Sequence, residues 1–392
     1  MRKSMRIVLP LLGLAALMLI LANSSAQDVQ PGKGAPKIKG DLPNKDMPNG
    51  DPANQQWPTQ MDGLSLDEWI KRLDSKDPST RNAAVRVVPL FGPPAKKAID
   101  KLINLMGDPD NSVKLGALAA CTTHPGIDED PALLRKAVGK IRTLLIHPDE
   151  AIRFQAAMAC NRIGPAAKEC IPELCSERVL AYPSSYEVRV AGAVALGQIA
   201  YDDKNGPNVQ AVSALAHRLS DEALAVRLEV VQALMVIGAP KDLTGGAGKQ
   251  LMQTLIDRAK YEKDDVLKMW IRVCLMRFDV SQVNQDNIRA IAAYLKSSNE
   301  HLQVSAAKAL GCIGPAAKST IPDLIECLQK AGEKKTLYTI VMCIFALGQM
   351  GTDAANALPE IQKYSNDENE IIRNQVRSSM ERINAVKVNN KK

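Results

Sequence analysis

Gly314-Pro315-Ala316-Ala317-Lys318-Ser319-Thr320-Ile321-Pro322 is nearly a copy of Gly164-Pro165-Ala166-Ala167-Lys168-Glu169-Cys170-Ile171-Pro172. Gly92-Pro93-Pro94-Ala95-Lys96-Lys97-Ala98-Ile99 is a third version. A degenerate fourth, Gly351-Thr352-Asp353-Ala354-Ala355, is again followed after two residues by Leu358-Pro359. Upstream of each copy lies a second shared block, anchored at Arg81, Lys114, Arg153, Arg189, Arg227, Lys268, Gln303, Ile340 and Arg373. The intervals between anchors run from 33 to 41 residues and average 36.5. A period of that size is the signature of a repeat array, in which each unit buries its apolar face against its neighbours.

Each column of the block has a physical reason. Four residues before the anchor stand Asp77, Asp110, Asp149, Ser185, Ala223, Asp264, Asn299, Thr336 and Asn369. Eight of these nine side chains can accept from the unpaired N–H groups that open a helix. One residue before the anchor, the aliphatics Val113, Ile152, Val188, Val226, Leu267, Leu302 and Ile372 recur. Seven after it stand Val88, Cys121, Cys160, Leu196, Leu234, Leu275, Leu310, Leu347 and Met380. Ten after it come mostly Ile and Phe. That spacing is one face of a helix. Three residues after the anchor, Ala84, Ala117, Ala156, Gly192 and Ala306 are small enough to let a neighbouring helix approach. Gly92, Gly164, Gly238, Gly314 and Gly351 then end the helix. Pro93, Pro165 and Pro315 suit the first turn of the next.

The pattern predicts an all-α solenoid of about nine helical hairpins, without strands, from residue 61 to 384. It opens with Ser65-Leu66-Asp67-Glu68, a capping box. In these capping, core and turn columns the chain resembles HEAT-repeat proteins, of the short-unit kind related to phycobilisome-lyase HEAT-like repeats. The resemblance covers residues 64 to 384 and implies a right-handed superhelix. For function it implies a binding scaffold, or, through bilin-lyase relatives, an enzyme or enzyme partner. The column departs from the basic consensus at Gln303 and Ile340, which puts any hydrogen-bond ladder along the anchors in doubt in the last third.

Outward from the array, residues 1–26 read as a signal peptide. A basic start precedes an apolar run from Ile7 to Ala22, then Ser24-Ser25-Ala26. The run is shorter than the ~18–20 residues that span a bilayer, and Pro10 interrupts it; membrane attachment is expected only if the segment is uncleaved. The expected location is therefore periplasmic or extracellular. Residues 27–60 hold six prolines and few aliphatics and read as a disordered linker. Residues 385–392 form a basic tail. Of 392 residues, 46% are hydrophobic but only 4% aromatic, a balance suited to helices packed by small aliphatics. Lys plus Arg number 50 against 43 acids; without Arg2, Lys3 and Arg6 the excess is four. That is too small to make nucleic acid the expected partner.

No residue set gathers chemistry. His124, His147, His217 and His301 lie at least 23 residues apart and form no metal-ligand spacing; His124 fills a core column. Thr244-Gly245-Gly246-Ala247-Gly248-Lys249-Gln250 fails as a phosphate loop at Leu243 and Gln250, and reads as a flexible turn. Asp202-Asp203-Lys204-Asn205-Gly206 lacks the spaced carboxylates of a calcium loop and also reads as a turn. The eight cysteines mostly fill core columns as buried thiols, with Cys160–Cys170 the readiest bridge if one forms. No catalytic residue, cofactor or metal is expected. The reading is thus a non-catalytic protein–protein interaction scaffold. Its candidate partner-binding residues are Lys96, Lys97, Lys101, Arg135, Lys136, Lys140 and Arg142, outward on adjacent second helices and opposed there only by Asp100. In HEAT-like arrays such helices line the concave surface. The strip fits an acidic protein segment or an anionic polymer, or else serves only to keep the face solvated.

Overall fold

A computed structural model describes residues 57–123, 127 and 129–385. The signal segment, the linker up to residue 56, His124 and the tail beyond residue 385 lie outside the described residues. The described residues belong to one compact unit.

Nine first helices run through it, one per anchor: Pro78–Val87, Asn111–Thr123, Glu150–Ile163, Tyr186–Ile199, Leu224–Ile237, Asp265–Phe278, Glu300–Ile313, Leu337–Gln349 and Glu370–Ile383. Each packs against the first helix of the next unit. Second helices follow in the first eight units, from Ile99–Leu105 to Leu358–Gln362; the third is broken into Ile171–Leu174 and Glu177–Leu180. An opening helix, Leu66–Arg72, carries the expected capping box: Glu68 accepts from the Ser65 N–H at 2.8 Å. The chain is an all-α solenoid.

The columns do the work assigned to them. Ala84, Ala117, Ala156 and Ala306 are fully buried. A methyl at Gly192, their counterpart, would come within 2.6 Å of the Val179 side chain. Six of the nine capping positions accept from their helix's first turn, as Asp149 does from the Ala151 N–H at 2.9 Å and Asp110 from Ser112 at 2.9 Å. Ala223 has no acceptor. Ser185 and Thr336 do not cap: the Thr336 hydroxyl donates backward to the Ala331 carbonyl instead.

Three local expectations change. The Gly-Pro-Ala-Ala motif does not open the second helix directly but forms 3-10 turns, Pro93–Ala98, Gly164–Cys170 and Gly314–Thr320, with Gly351–Ala357 as the fourth. The glycines turn with φ between 63° and 71°. The tight winding then tucks Ala95, Ala167, Ala317 and Ala354 into the core. Two small antiparallel hairpins also exist, Gln60–Met61 with Leu64–Ser65 and Tyr201–Asp202 with Gly206–Pro207, each too short for a period-two pattern to show. The second is the Asp202–Gly206 turn: Asp202 accepts from the N–H groups of Lys204 and Asn205. Finally, Gly246–Gln250 is not a loose turn but the start of a helix, Gly246–Tyr261. The Asp242 carboxylate takes the Thr244 and Gly245 N–H groups at 2.8 and 3.1 Å, filling with a fixed anion the place a phosphate would need.

The anchors build a ladder between units. Arg81 grips Asp108 with two bonds of 2.7 and 2.8 Å and also donates to the Ser75 carbonyl in the loop before its own helix. Arg227 repeats this with Glu262 and the Asp221 carbonyl. Arg189 holds Asp221 through two bonds of 2.8 Å, and Arg153 reaches Ser184. Each acceptor lies five or six residues before the next anchor, so every rung ties one loop to the next. Gln303 donates only to its own loop, at Ser297, and Ile340 is buried without a bond to give. Lys114 and Lys268, though charged, bond only within their own helices, to Asn111 and Asp265, so the cross-unit rungs are those of the arginine anchors.

All eight cysteines are free thiols, six buried and Cys175 and Cys312 half-buried. The neighbouring Cys170 thiol and burial push the Cys160 thiol up, as Cys327 and burial do for Cys343. Burial pushes the Cys121 and Cys274 thiols up, far from ionisation at neutral pH.

Candidate protein-binding surface

The basic strip lies on the second helices except at Lys96 and Lys97, which stand on the 3-10 turn Pro93–Ala98 before the first of them, and its charges have partners one repeat away. Lys97 meets Asp67, Lys101 meets Asp74 and Lys136 meets Asp100, each at 2.5 Å. Lys96 reaches Glu129 at 2.6 Å and Arg142 reaches Glu173 at 2.7 Å. Arg135 and Lys140 join no ion pair among the described residues. The same cross-unit pairing recurs further on, at Lys168–Asp202 and Lys296–Asp323. Exposed pairs of this kind stabilise little, and salt screens them. Their main effect is to cancel the field that seven cations on one face would otherwise project.

The first helices present a different surface. A groove of about 730 Å³ runs across units 1 to 4, lined by Val85, Pro89, Leu90, Leu115, Ala119, Phe154 and Val188, with Arg86, Glu150, Gln155 and Glu187 among them. Its floor is possible because Gly116 stands where a methyl would come within 2.4 Å of the Val85 side chain. Leu90 is 55% exposed at one end. Leu115 and Phe154, one residue after their anchors, are half-buried, and Val190 and Leu228 continue that column into units 4 and 5. Apolar side chains left half-covered in a contiguous row mark an interaction surface more often than a solvated one.

Further along the first helices stand two ionisable groups that are half-buried. Burial raises the Glu229 carboxyl to about 7 and lowers the Lys308 ammonium to about 8. The Lys308 Nζ lies 5.9 Å from the centroid of the Trp270 ring, which is itself buried. Neither Glu229 nor Lys308 forms an ion pair or hydrogen bond among the described residues.

Glu229 holds its proton in the folded chain to about pH 7, but in the unfolded chain gives it up near 4.5. The folded state thus binds more proton across that window, and stability falls as pH rises through it. Glu229→Gln should accordingly stabilise the array by about 2 kcal/mol at pH 8 and hardly at all at pH 4.5. Thermal melts of both proteins at the two pH values check this; equal gains at both would mean that burial does not perturb the carboxyl.

Among the described residues no group of His, Cys, Asp and Glu is placed to hold a metal ion, and no helix is long and apolar enough to cross a membrane. The His147 Nδ1 accepts from the Asp149 N–H at 3.0 Å, a bond within the loop that leads into the third unit.

No family model and no curated protein matches the chain. Solved structures do. Importin beta matches over 81% of this chain at 12% identity with a TM-score of 0.53, and the chain spans 49% of its length. An engineered protein matches over 83% of this chain and 90% of its own at 18% identity, with a TM-score of 0.43. A structure from a study of the interaction between cadherin and β-catenin matches over 82% of this chain and 69% of its own at 16% identity, with a TM-score of 0.43. At such identities the importin likeness speaks for the solenoid fold.

Proposed function

We propose that the chain is a non-catalytic scaffold of the HEAT-like kind, exported by its first 26 residues to the periplasm or the cell exterior. There it holds a protein partner on the face of its first helices. The observation that carries this reading is the groove across units 1 to 4, where Leu115 and Phe154 stand half-covered between the exposed Leu90 and the buried Val85 and Val188. A repeat array offers such a surface without further machinery, because each unit adds one more strip of the same columns. The occupant that fits is an apolar segment of another protein, ordered along several units at once. The second-helix strip supports an acidic partner less well, since five of its seven cations already face carboxylates of neighbouring units.

The test begins with capture from the native envelope using the chain as bait, then purification of the protein recovered and its titration against defined variants. Leu115→Glu with Phe154→Glu should weaken that complex at least tenfold while the helical signal is unchanged, because each carboxylate would be desolvated against apolar partner groups. Lys97→Gln with Lys136→Gln should leave it within twofold. The opposite pattern would move the binding surface to the second helices.

A further inference from the structure

The groove crosses the first helices on a slant. In unit 1 it touches the C-terminal end of Pro78–Val87 and the turn after it, at Arg86, Pro89 and Leu90. In unit 2 it crosses the middle of Asn111–Thr123, at Leu115 and Ala119, and in unit 3 the opening turns of Glu150–Ile163, at Glu150 and Phe154. In unit 4 it ends at the start of Tyr186–Ile199, at Ser185 and Glu187. Three of the residues lining it are ionisable, and the slant sorts them by sign: Arg86 lies at the unit 1 end, Glu150 and Glu187 towards the unit 4 end. All three are exposed. Glu150 is already engaged, accepting from the Arg153 guanidinium at 2.9 Å and from the Ser185 N–H at 3.1 Å. Arg86 and Glu187 join no ion pair among the described residues.

Between these ends the lining is apolar apart from Gln155. An extended segment laid there would turn backbone N–H and C=O groups towards Leu115, Ala119 and Phe154, and a polar group covered without a partner costs stability. A helix satisfies those groups internally and presents only side chains. Three steps between packed helices, ~8–10 Å each, make roughly 24–30 Å from unit 1 to unit 4. At ~1.5 Å per residue, a helix spans that length in about 16–20 residues. Charge decides which way it lies. An acidic end belongs at Arg86 and a basic end at Glu187, and a helix is itself steadied by acids in its first turn and bases in its last.

We propose that the groove docks one amphipathic helix of a protein partner, its apolar face over Leu115 and Phe154, its acidic first turn at Arg86 and its basic last turn at Glu187. This rests on the reading that the first helices are the binding face, and it adds the form and the polarity of what binds there.

Three fluorescently labelled 20-residue peptides test it, their binding to the full chain followed by polarisation at pH 7.5 and low salt. All carry leucines at three- and four-residue intervals. The first has two Glu in its first turn and two Lys in its last, the second has these ends exchanged, and the third is the first with two central residues replaced by Pro. The first should bind at least threefold more tightly than the second and at least tenfold more tightly than the third. Arg86→Glu with Glu187→Lys should reverse the order of the first two, which separates the polarity of the groove from the peptides' own helicity. Should that double reversal unfold the chain, Arg86→Gln with Glu187→Gln serves instead and should narrow the gap between the first two at least twofold. Equal binding of the first two to the unmodified chain, a gap that neither double variant changes, or binding of none overturns the inference. A third peptide that binds as tightly as the first also overturns it, in favour of an extended occupant. If any of these happens while Leu115→Glu with Phe154→Glu still releases the purified partner, the first-helix reading stands and only the docked helix falls.

Discussion

Arg189→Met should destabilise the array by about 3–5 kcal/mol, the largest loss expected from any single rung of the anchor ladder. Both side chains of the Arg189–Asp221 pair are 4% exposed, and the guanidinium is bonded to both carboxylate oxygens. Removing the cation leaves Asp221 in the interior facing no counter-charge, with only the Ala223 N–H still bonded to it. Most of the cost comes from that orphaned carboxylate. Arg189→Met with Asp221→Leu should therefore recover much of the loss. Denaturant unfolding of the three proteins settles it, and a double variant as unstable as the single would mean that the arginine acts through its backbone bond to Ser184. At Arg81, whose guanidinium is more exposed, the same substitution should cost less.

Gly348→Ala should release the last helix. A methyl there would sit 2.6 Å from the Ser379 Cβ and 2.8 Å from its Cα, so the helices Leu337–Gln349 and Glu370–Ile383 would have to part. Overpacking of this kind costs about 1–3 kcal/mol. Parting would also strain the 2.9 Å bond from the Ser379 hydroxyl to the Ile344 carbonyl. Since a terminal unit of an array touches only its inner neighbour, the damage should stay local. Hydrogen exchange should accelerate at least tenfold across residues 370–383 and remain unchanged before residue 330. Uniform acceleration along the chain would contradict the one-dimensional view of its stability.

How much of this was legible beforehand follows from the range over which each interaction acts. Caps, core columns and glycine turns are set by neighbours within about ten residues, and the repeat shows capping side chains in eight units and closing glycines in five. Asp149, Asp264 and Asn369 therefore cap as their positions predict. Thr336 fails because its hydroxyl finds the Ala331 carbonyl, a choice decided by the loop that the sequence pattern does not describe. The basic strip was legible as composition but not as electrostatics. Lys97 and Asp67 are 30 residues apart and Lys136 and Asp100 are 36 apart, so only stacking of units reveals that they are partners.

The groove is written in the same columns. One residue after the anchor stand Leu115, Phe154, Val190, Leu228, Met269, Val304 and Val341, an apolar column in addition to those that one buried face requires. Surplus apolar positions at helical spacing were the available signal. Glu229 and Lys308 gave none, because a charge on a helix reads as solvated until its burial is known.

The central claim is that the partner lies across the first helices and not the second. Site-specific photocrosslinking in the native envelope tests it most directly, with a photoreactive side chain placed in turn at Leu115, Phe154, Lys97 and Lys136. Adducts to one and the same protein from positions 115 and 154, with none from 97 and 136, are the expected result. Adducts to that protein from positions 97 and 136 alone would contradict it.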